Sequence, residues 1–209
     1  MIGRDDVTNS TKPVLVIFAK APVAGQVKTR LIPSLGAQGA ADLHYRLLDH
    51  TLSWAAALDH ATVELWSPDT KHRAMHTYGK PVYQQMGLDL GQRMANAFER
   101  VLDRAPAALI VGTDCPTLNA EIVTDAFALL SDSADVVLGP AEDGGYYLIG
   151  MRESTPSLFN EIEWGGEQVF ADTVMKLDRS ESIWRELPRL WDVDRPEDVD
   201  RLLAEFPSL

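Results

Sequence analysis

Several short segments concentrate side chains that can handle a phosphorylated substrate. Lys20 to Arg30 reads KAPVAGQVKTR and holds Lys20, Lys28, Thr29 and Arg30 around Gly25. A glycine lets backbone amides approach an anion, an ammonium supplies point charge, and a guanidinium grips phosphate oxygens in pairs. Together they suit a di- or triphosphate; a solvated basic loop is the alternative. The segment is not a Walker A loop, because only two residues separate Gly25 from Lys28. In Gly112-Thr113-Asp114-Cys115-Pro116 a carboxylate follows an apolar run. Asp114 there can meet a Mg²⁺ or Mn²⁺ carrying phosphate oxygens, with Gly112 and Thr113 beside the phosphates, or it can cap the turn before Pro116. Glu142-Asp143-Gly144-Gly145-Tyr146-Tyr147 sets two carboxylates at a glycine turn. Either can bind acceptor hydroxyls or serve as general base, and Asp-Gly is equally a hairpin signal. Trp164, before Gly165 and Gly166, can stack on a base or a sugar or lie in the core. Asp192 and Asp194 precede a helix start and are free to reach a metal, whereas Glu197 and Asp198 suit the helix dipole.

The remaining reactive residues carry less. Cys115 is the only cysteine, and no histidine stands near it in the sequence. A buried thiol of that kind is inert. His72 and His76 have i, i+4 spacing without an acidic neighbour, which reads as a surface helix face.

The elements that position these residues alternate between strand and helix. Val14–Ala19 and Ala107–Gly112 are continuous apolar runs, as in strands buried on both faces. Thr62–Trp66, Asp135–Gly139 and Tyr146–Gly150 read as further strands. Helices are expected over Ala37–Leu58, Asp89–Arg104, Asn119–Leu130, Glu167–Leu177 and Pro196–Glu205, with a weaker one over Asp69–Tyr78. Residues 21–34 read as a long loop. One α/β domain over residues 13–209, with a mainly parallel sheet flanked by helices, fits this order, behind a loose polar tail at 1–12. Ligands of such sheets bind beyond the carboxyl ends of the strands. The loops after Ala19, Gly112 and Gly139 are those ends.

Composition narrows the partners. The 209 residues carry a formal net charge of −12, which argues against a nucleic-acid binder. One cysteine allows neither an internal disulfide nor a Cys-based zinc site, and suits the cytoplasm. Residues 1–12 lack the apolar stretch of a signal peptide, and no apolar run approaches the roughly 20 residues that span a bilayer, so no membrane partner is expected. Nothing in the sequence sets an oligomeric state.

Phe18–Leu31, Gly112–Pro116 and Leu138–Gly150 together resemble one bacterial family, the radical-SAM/selenodomain-associated transferases of type 1, also described as arsenosugar-biosynthesis glycosyltransferases. The likeness runs from about Val14 to Leu203. It implies the nucleotide-diphospho-sugar transferase (GT-A) fold. More distantly the chain is similar to 2-phospholactate and molybdenum-cofactor guanylyltransferases. The resemblance puts Gly25, Lys28 and Arg30 at the phosphates, Asp114 at the metal, and Asp143, Gly144 and Gly145 in the second signature. Asp192-Val-Asp194 with Pro196-Glu-Asp198 is similar to a D-x-D-T-P-E-D segment of nucleotidyltransferases that can supply a second metal ligand. Arg195 here replaces the threonine, and Pro116 stands where many glycosyltransferases have the second Asp of Asp-x-Asp.

The leading expectation is metal-dependent glycosyl transfer from a nucleotide-diphospho-sugar to a small acceptor. Asp143 or Glu142 would activate the acceptor, Lys28 would assist, and Gly144, Gly145, Tyr146 and Trp164 would hold it. The alternatives are nucleotidyl transfer from an NTP to a phosphorylated acceptor, favoured by the basic loop, and non-catalytic nucleotide binding.

Overall fold

The computed structural model describes residues 12–209 apart from Tyr78, Lys80 and Ser208. The tail expected over 1–12 lies outside the described residues except for Lys12. One seven-stranded sheet is formed by β1 (Val14–Phe18), β2 (Thr62–Ser67), β3 (Val82–Gln84), β4 (Ala108–Val111), β5 (Val136–Pro140), β6 (Tyr146–Met151) and β7 (Trp184–Glu186). Their spatial order is β3-β2-β1-β4-β6-β5-β7. β1 pairs in parallel with β2 and β4, and β5 with β7, while β6 runs antiparallel to both β4 and β5. The carboxyl ends of β1, β4 and β5 therefore share one edge with the start of β6.

The helices are α1 (Ile32–Ala55), α2 (Leu90–Leu102), α3 (Ala120–Asp132), α4 (Val169–Arg179) and α5 (Pro196–Glu205). Strand alternation sends Leu15 and Ile17 to one face, where Leu48 and Leu52 of α1 and Val123 and Phe127 of α3 cover them. Val14 and Val16 face the other side, against Met94, Phe98 and Val101 of α2 and Leu177 of α4. A third cluster packs Leu202 of α5, with Trp191 and Val193, on Leu43 and Leu47 of α1. This last contact brings the 192–194 segment to the active edge.

Local chemistry sets the helix starts. Asn119 Oδ1 accepts from the Ile122 amide at 3.1 Å and Asp89 Oδ1 from Gln92 at 2.8 Å. The expected loop over 21–34 contains a 3₁₀ turn at Thr29–Leu31 and the first turn of α1, which Pro33 favours. Gly36, at φ 70° and ψ 164°, breaks that turn from the regular helix, which starts near Ala37 as expected. The helix expected over 69–78 is only a 3₁₀ turn at Arg73–His76; Tyr78 lies outside the described residues. The strands β3 and β7 were not expected: three residues at a sheet edge carry too little pattern.

Candidate functional site

The site forms where three loops and the 192–194 segment meet above the sheet. Lys28 is its hinge pin. Its side chain is 3% exposed, and its ammonium donates to Asp114 Oδ1 at 2.6 Å and to the Val193 carbonyl at 2.5 Å. The Val193 amide in turn donates to the Asp114 carbonyl at 2.8 Å. The loop after β1, the turn after β4 and the approach to α5 are thus tied together at one point. The Asp114 side chain remains 53% exposed and faces the cleft. Desolvation by the cleft walls works to raise its carboxyl, but the Lys28 ammonium, with Lys20 farther off, overrides this and holds it below the ordinary range. Arg30 pairs with Asp194 through Nη1 and Oδ2. The Asp198 carboxylate accepts from the amides of Asp194 at 3.0 Å and Arg195 at 2.6 Å, which fixes the start of α5.

Two compartments open on either side of Asp114 and Gly112, which line both. The first, of about 450 Å³, is basic: Lys20, Lys28, Arg30 and Arg93 line it, with His44, Thr29, Thr113 and Gln85. His44 is buried on α1, and burial holds its imidazole below the usual range, so it is neutral at pH 7. Its Nε2 lies 2.9 Å from the Lys20 carbonyl and donates there. The second compartment, of about 290 Å³, is walled by Phe18, Met94, Tyr146 and Trp164 and carries Asp114, Asp143 and Asp192. Tyr146 and Trp164 meet edge to face at 6.4 Å. Burial, then the charges of Asp143, Asp114 and Asp194, push the Asp192 carboxyl up to about 7. A larger outer hollow, about 760 Å³, adjoins Glu142, Gly144 and Arg195.

The residues singled out by sequence fall into distinct places. Lys20, Lys28, Thr29, Arg30, Gly112, Thr113 and Asp114 meet in the basic compartment, while Asp143, Gly145, Tyr146, Trp164 and Asp192 meet in the second. Asp194 turns to Arg30 instead of Asp192. Gly25 is exposed at φ 81° with open space around it, and the cleft wall is made by Gln26 to Arg30 instead. Glu142 is ion-paired to Arg201 at 3.0 Å and faces the outer hollow. Gly144, at φ 90°, accepts at its carbonyl from the Phe170 amide, and a Cβ there would strike the Glu167 backbone. Its role is to seat the β5–β6 hairpin turn on the start of α4. Burial pushes the Cys115 thiol up to about 11, in keeping with an inert cysteine. Sequence reasoning missed His44, Gln85 and Arg93. For His44 the signal was available: it interrupts the apolar stripe Leu43, Leu47, Leu48.

The donor set fits a divalent cation. Asp114 is open and ionised, and Asp192 lies in a pile-up of negative charge that such an ion relieves. Among the described residues no three His, Cys, Asp or Glu side chains gather to hold a metal alone. The remaining ligands would come from substrate phosphates and water, as is usual for Mg²⁺.

The fold is that of nucleotide-diphospho-sugar transferases and cytidylyltransferases. A crystal structure from Desulfovibrio desulfuricans G20, of a protein provisionally named a nucleotide-diphospho-sugar transferase, matches with a TM-score of 0.88 at 32% identity, over 95% of this chain and 89% of that one. CMP:2-keto-3-deoxy-manno-octonic acid synthetase complexed with CTP matches at 0.63 and 13% identity, over 94% and 99% of the two chains. Rv0371c from Mycobacterium tuberculosis H37Rv, complexed with manganese, matches at 0.55 and 20% identity, over 93% and 99%. The chain belongs to the DUF2064 family, described as uncharacterised proteins conserved in bacteria, whose model matches residues 48–166. Among curated proteins, none matches the chain. No helix among the described residues is long and apolar enough to cross a membrane.

Proposed function

We propose that the chain is a cytoplasmic, metal-dependent transferase that moves a glycosyl group from a nucleotide-diphospho-sugar to a small hydroxyl acceptor, of the radical-SAM/selenodomain-associated type 1 kind. The observation that carries this reading is the division at Asp114: cations line one compartment, and carboxylates with aromatic walls line the other. The 32% identical D. desulfuricans protein bears a name of the same class.

In this reading Lys20, Arg30 and Arg93 bind the diphosphate, and the cleft walls orient it. Asp114 and Asp192 would hold Mg²⁺ or Mn²⁺. That ion, when bound, supplies neutralising charge to the diphosphate leaving group. Asp143 lines the second compartment, its Oδ1 accepting from the Gly145 amide at 2.8 Å. It takes the acceptor hydroxyl proton as the hydroxyl oxygen bonds to the anomeric carbon. The carbon–oxygen bond to the diphosphate breaks, and its electron pair leaves on the diphosphate. Lys28 holds Asp114 in place and does not itself reach the reacting atoms.

The concentration of cations around the first compartment also suits a triphosphate, which is the requirement of nucleotidyl transfer. The products separate the two reactions. Glycosyl transfer releases a nucleoside diphosphate, and nucleotidyl transfer from an NTP releases pyrophosphate. Metal-dependent release of nucleoside diphosphate from one sugar nucleotide, lost in Asp143→Asn, supports the proposal. Pyrophosphate release from an NTP, with none of the former, refutes it.

A further inference from the structure

Among the described residues, no cation lines the second compartment. None of its lining residues is Lys, Arg or His, whereas Lys20, Lys28, Arg30 and Arg93 all line the first. We propose that this compartment accepts an uncharged ring or polyol bearing hydroxyl groups and rejects phosphomonoesters. The inference rests on nucleotide-dependent transfer and names the chemical class of the group that meets the nucleotide.

Charge decides first. A phosphomonoester entering here would leave water for a site that holds Asp114, Asp143 and Asp192, whose contacting cation, Lys28, is already committed to Asp114 and the Val193 carbonyl. Burying a charge without a partner is costly, and like charges nearby raise the cost. A divalent ion at Asp114 would be shared with the nucleotide's own phosphates, which leaves Asp143 unpaired. Ionised carboxylates accept hydrogen bonds and donate none, so their natural partners are hydroxyl groups.

Shape agrees with charge. At about 290 Å³ the compartment lies at the small end of ligand pockets, roughly 300–1,000 Å³, with room for one small ring. Tyr146 and Trp164 give it aromatic faces for the apolar C–H side of such a ring. The Trp164 wall is fixed rather than adaptable. Its indole packs on Phe159 at 6.3 Å between centroids and against Gly91 of α2, where any Cβ would run into the ring. The compartment thus combines carboxylates that accept hydrogen bonds from hydroxyl groups with apolar aromatic walls.

The test uses the full chain and matched neutral and phosphorylated probes: glucose with glucose 6-phosphate, mannose with mannose 6-phosphate, and glycerol with glycerol 3-phosphate. Ligand-observed saturation-transfer NMR reads each with Mg²⁺ and a nucleoside diphosphate, and again with neither. The expected result is that a neutral probe binds at least about tenfold more tightly than its phosphate ester. Trp164→Ala removes that binding and leaves nucleotide affinity unchanged. Should Trp164→Ala not fold, Asp143→Lys carries the test by reversing the preference toward the ester. A phosphate ester that binds more tightly than its neutral partner overturns the proposal, as does the absence of neutral-probe binding in every pair. Nucleotide binding is recorded in the same samples. Its failure counts against the proposed transferase, whereas a preference for esters with nucleotide binding intact counts only against this inference.

Discussion

Lys28→Met removes the tie at the centre of the site while keeping most of the side chain's length and apolar stem. In the native protein the Lys28 side chain is 3% exposed and its ammonium is bonded to Asp114 at 2.6 Å and Val193 O at 2.5 Å. Removing one member of a fully buried ion pair costs about 3–5 kcal/mol. Asp114 is 53% exposed and rehydrates, so its share is small. The Val193 carbonyl, on a fully buried residue, loses a charge-assisted bond worth about 1.5–3 kcal/mol. Relief from burying the ammonium offsets part of that, leaving a loss of about 2 kcal/mol. In a chain of this size about 2–4 °C accompanies each kcal/mol, so Tm falls by about 4–8 °C. Thermal unfolding followed by circular dichroism, without metal, reads this directly. Metal-dependent nucleotide affinity, by isothermal titration, falls at least about tenfold because both Asp114 and the 192–194 segment lose their anchor. A variant that matches wild type in both Tm and nucleotide affinity refutes the assignment of Lys28 as the tie.

Asp192→Asn has opposite effects on stability and function. A carboxyl raised from 3.8 to about 7 is, wholly shielded from water, about 4 kcal/mol worse off ionised than in the unfolded chain, and partial exposure reduces this to about 1–2 kcal/mol. Because the folded value lies above the unfolded one, the native protein loses this stability as pH rises from about 4 through 7. The variant is therefore more stable at pH 8, its advantage vanishes near pH 4, and it loses metal-dependent nucleotide binding; melts across that range with an unchanged difference contradict this. Gly144→Ala combines positive φ with a collision at the Glu167 backbone and costs about 2–4 kcal/mol. Gly165→Ala, at φ 87° in open space, costs only about 1 kcal/mol. Equal urea midpoints for the two refute the packing role of Gly144.

The contrast between what the sequence discloses and what it hides has physical causes. The strands β1 and β4 are covered on both faces, so their apolar runs are unbroken and legible. The loops that follow them announce their chemistry because cations, glycines and carboxylates have no reason to gather beyond buried strands otherwise. Partner choice is another matter. Arg30 finds Asp194 and Lys28 finds Asp114 across long stretches of chain, and only the packing of α5 on α1 brings the former pair together. Glu142 and Asp143 are adjacent in sequence, yet the hairpin turn sends one to Arg201 and the other to the second compartment. Arg93 sits in the first turn of α2, where a cation in a helix carries no signal of its own.

The most direct test is a thermal-shift comparison of wild type and Asp114→Asn against common NTPs, nucleoside diphosphates and nucleotide-diphospho-sugars, each with and without Mg²⁺ or Mn²⁺. A ligand at a hundred times its Kd stabilises the folded chain by about 2.7 kcal/mol, a rise of about 5–10 °C. The account predicts such a rise for one nucleotide-diphospho-sugar beyond its plain diphosphate, dependent on metal and lost in Asp114→Asn, whose own Tm without ligand is lowered because the buried Lys28 ammonium loses its countercharge. A metal-independent rise, or one that Asp114→Asn preserves, contradicts the division of labour at Asp114, and no rise with any nucleotide contradicts the transferase itself.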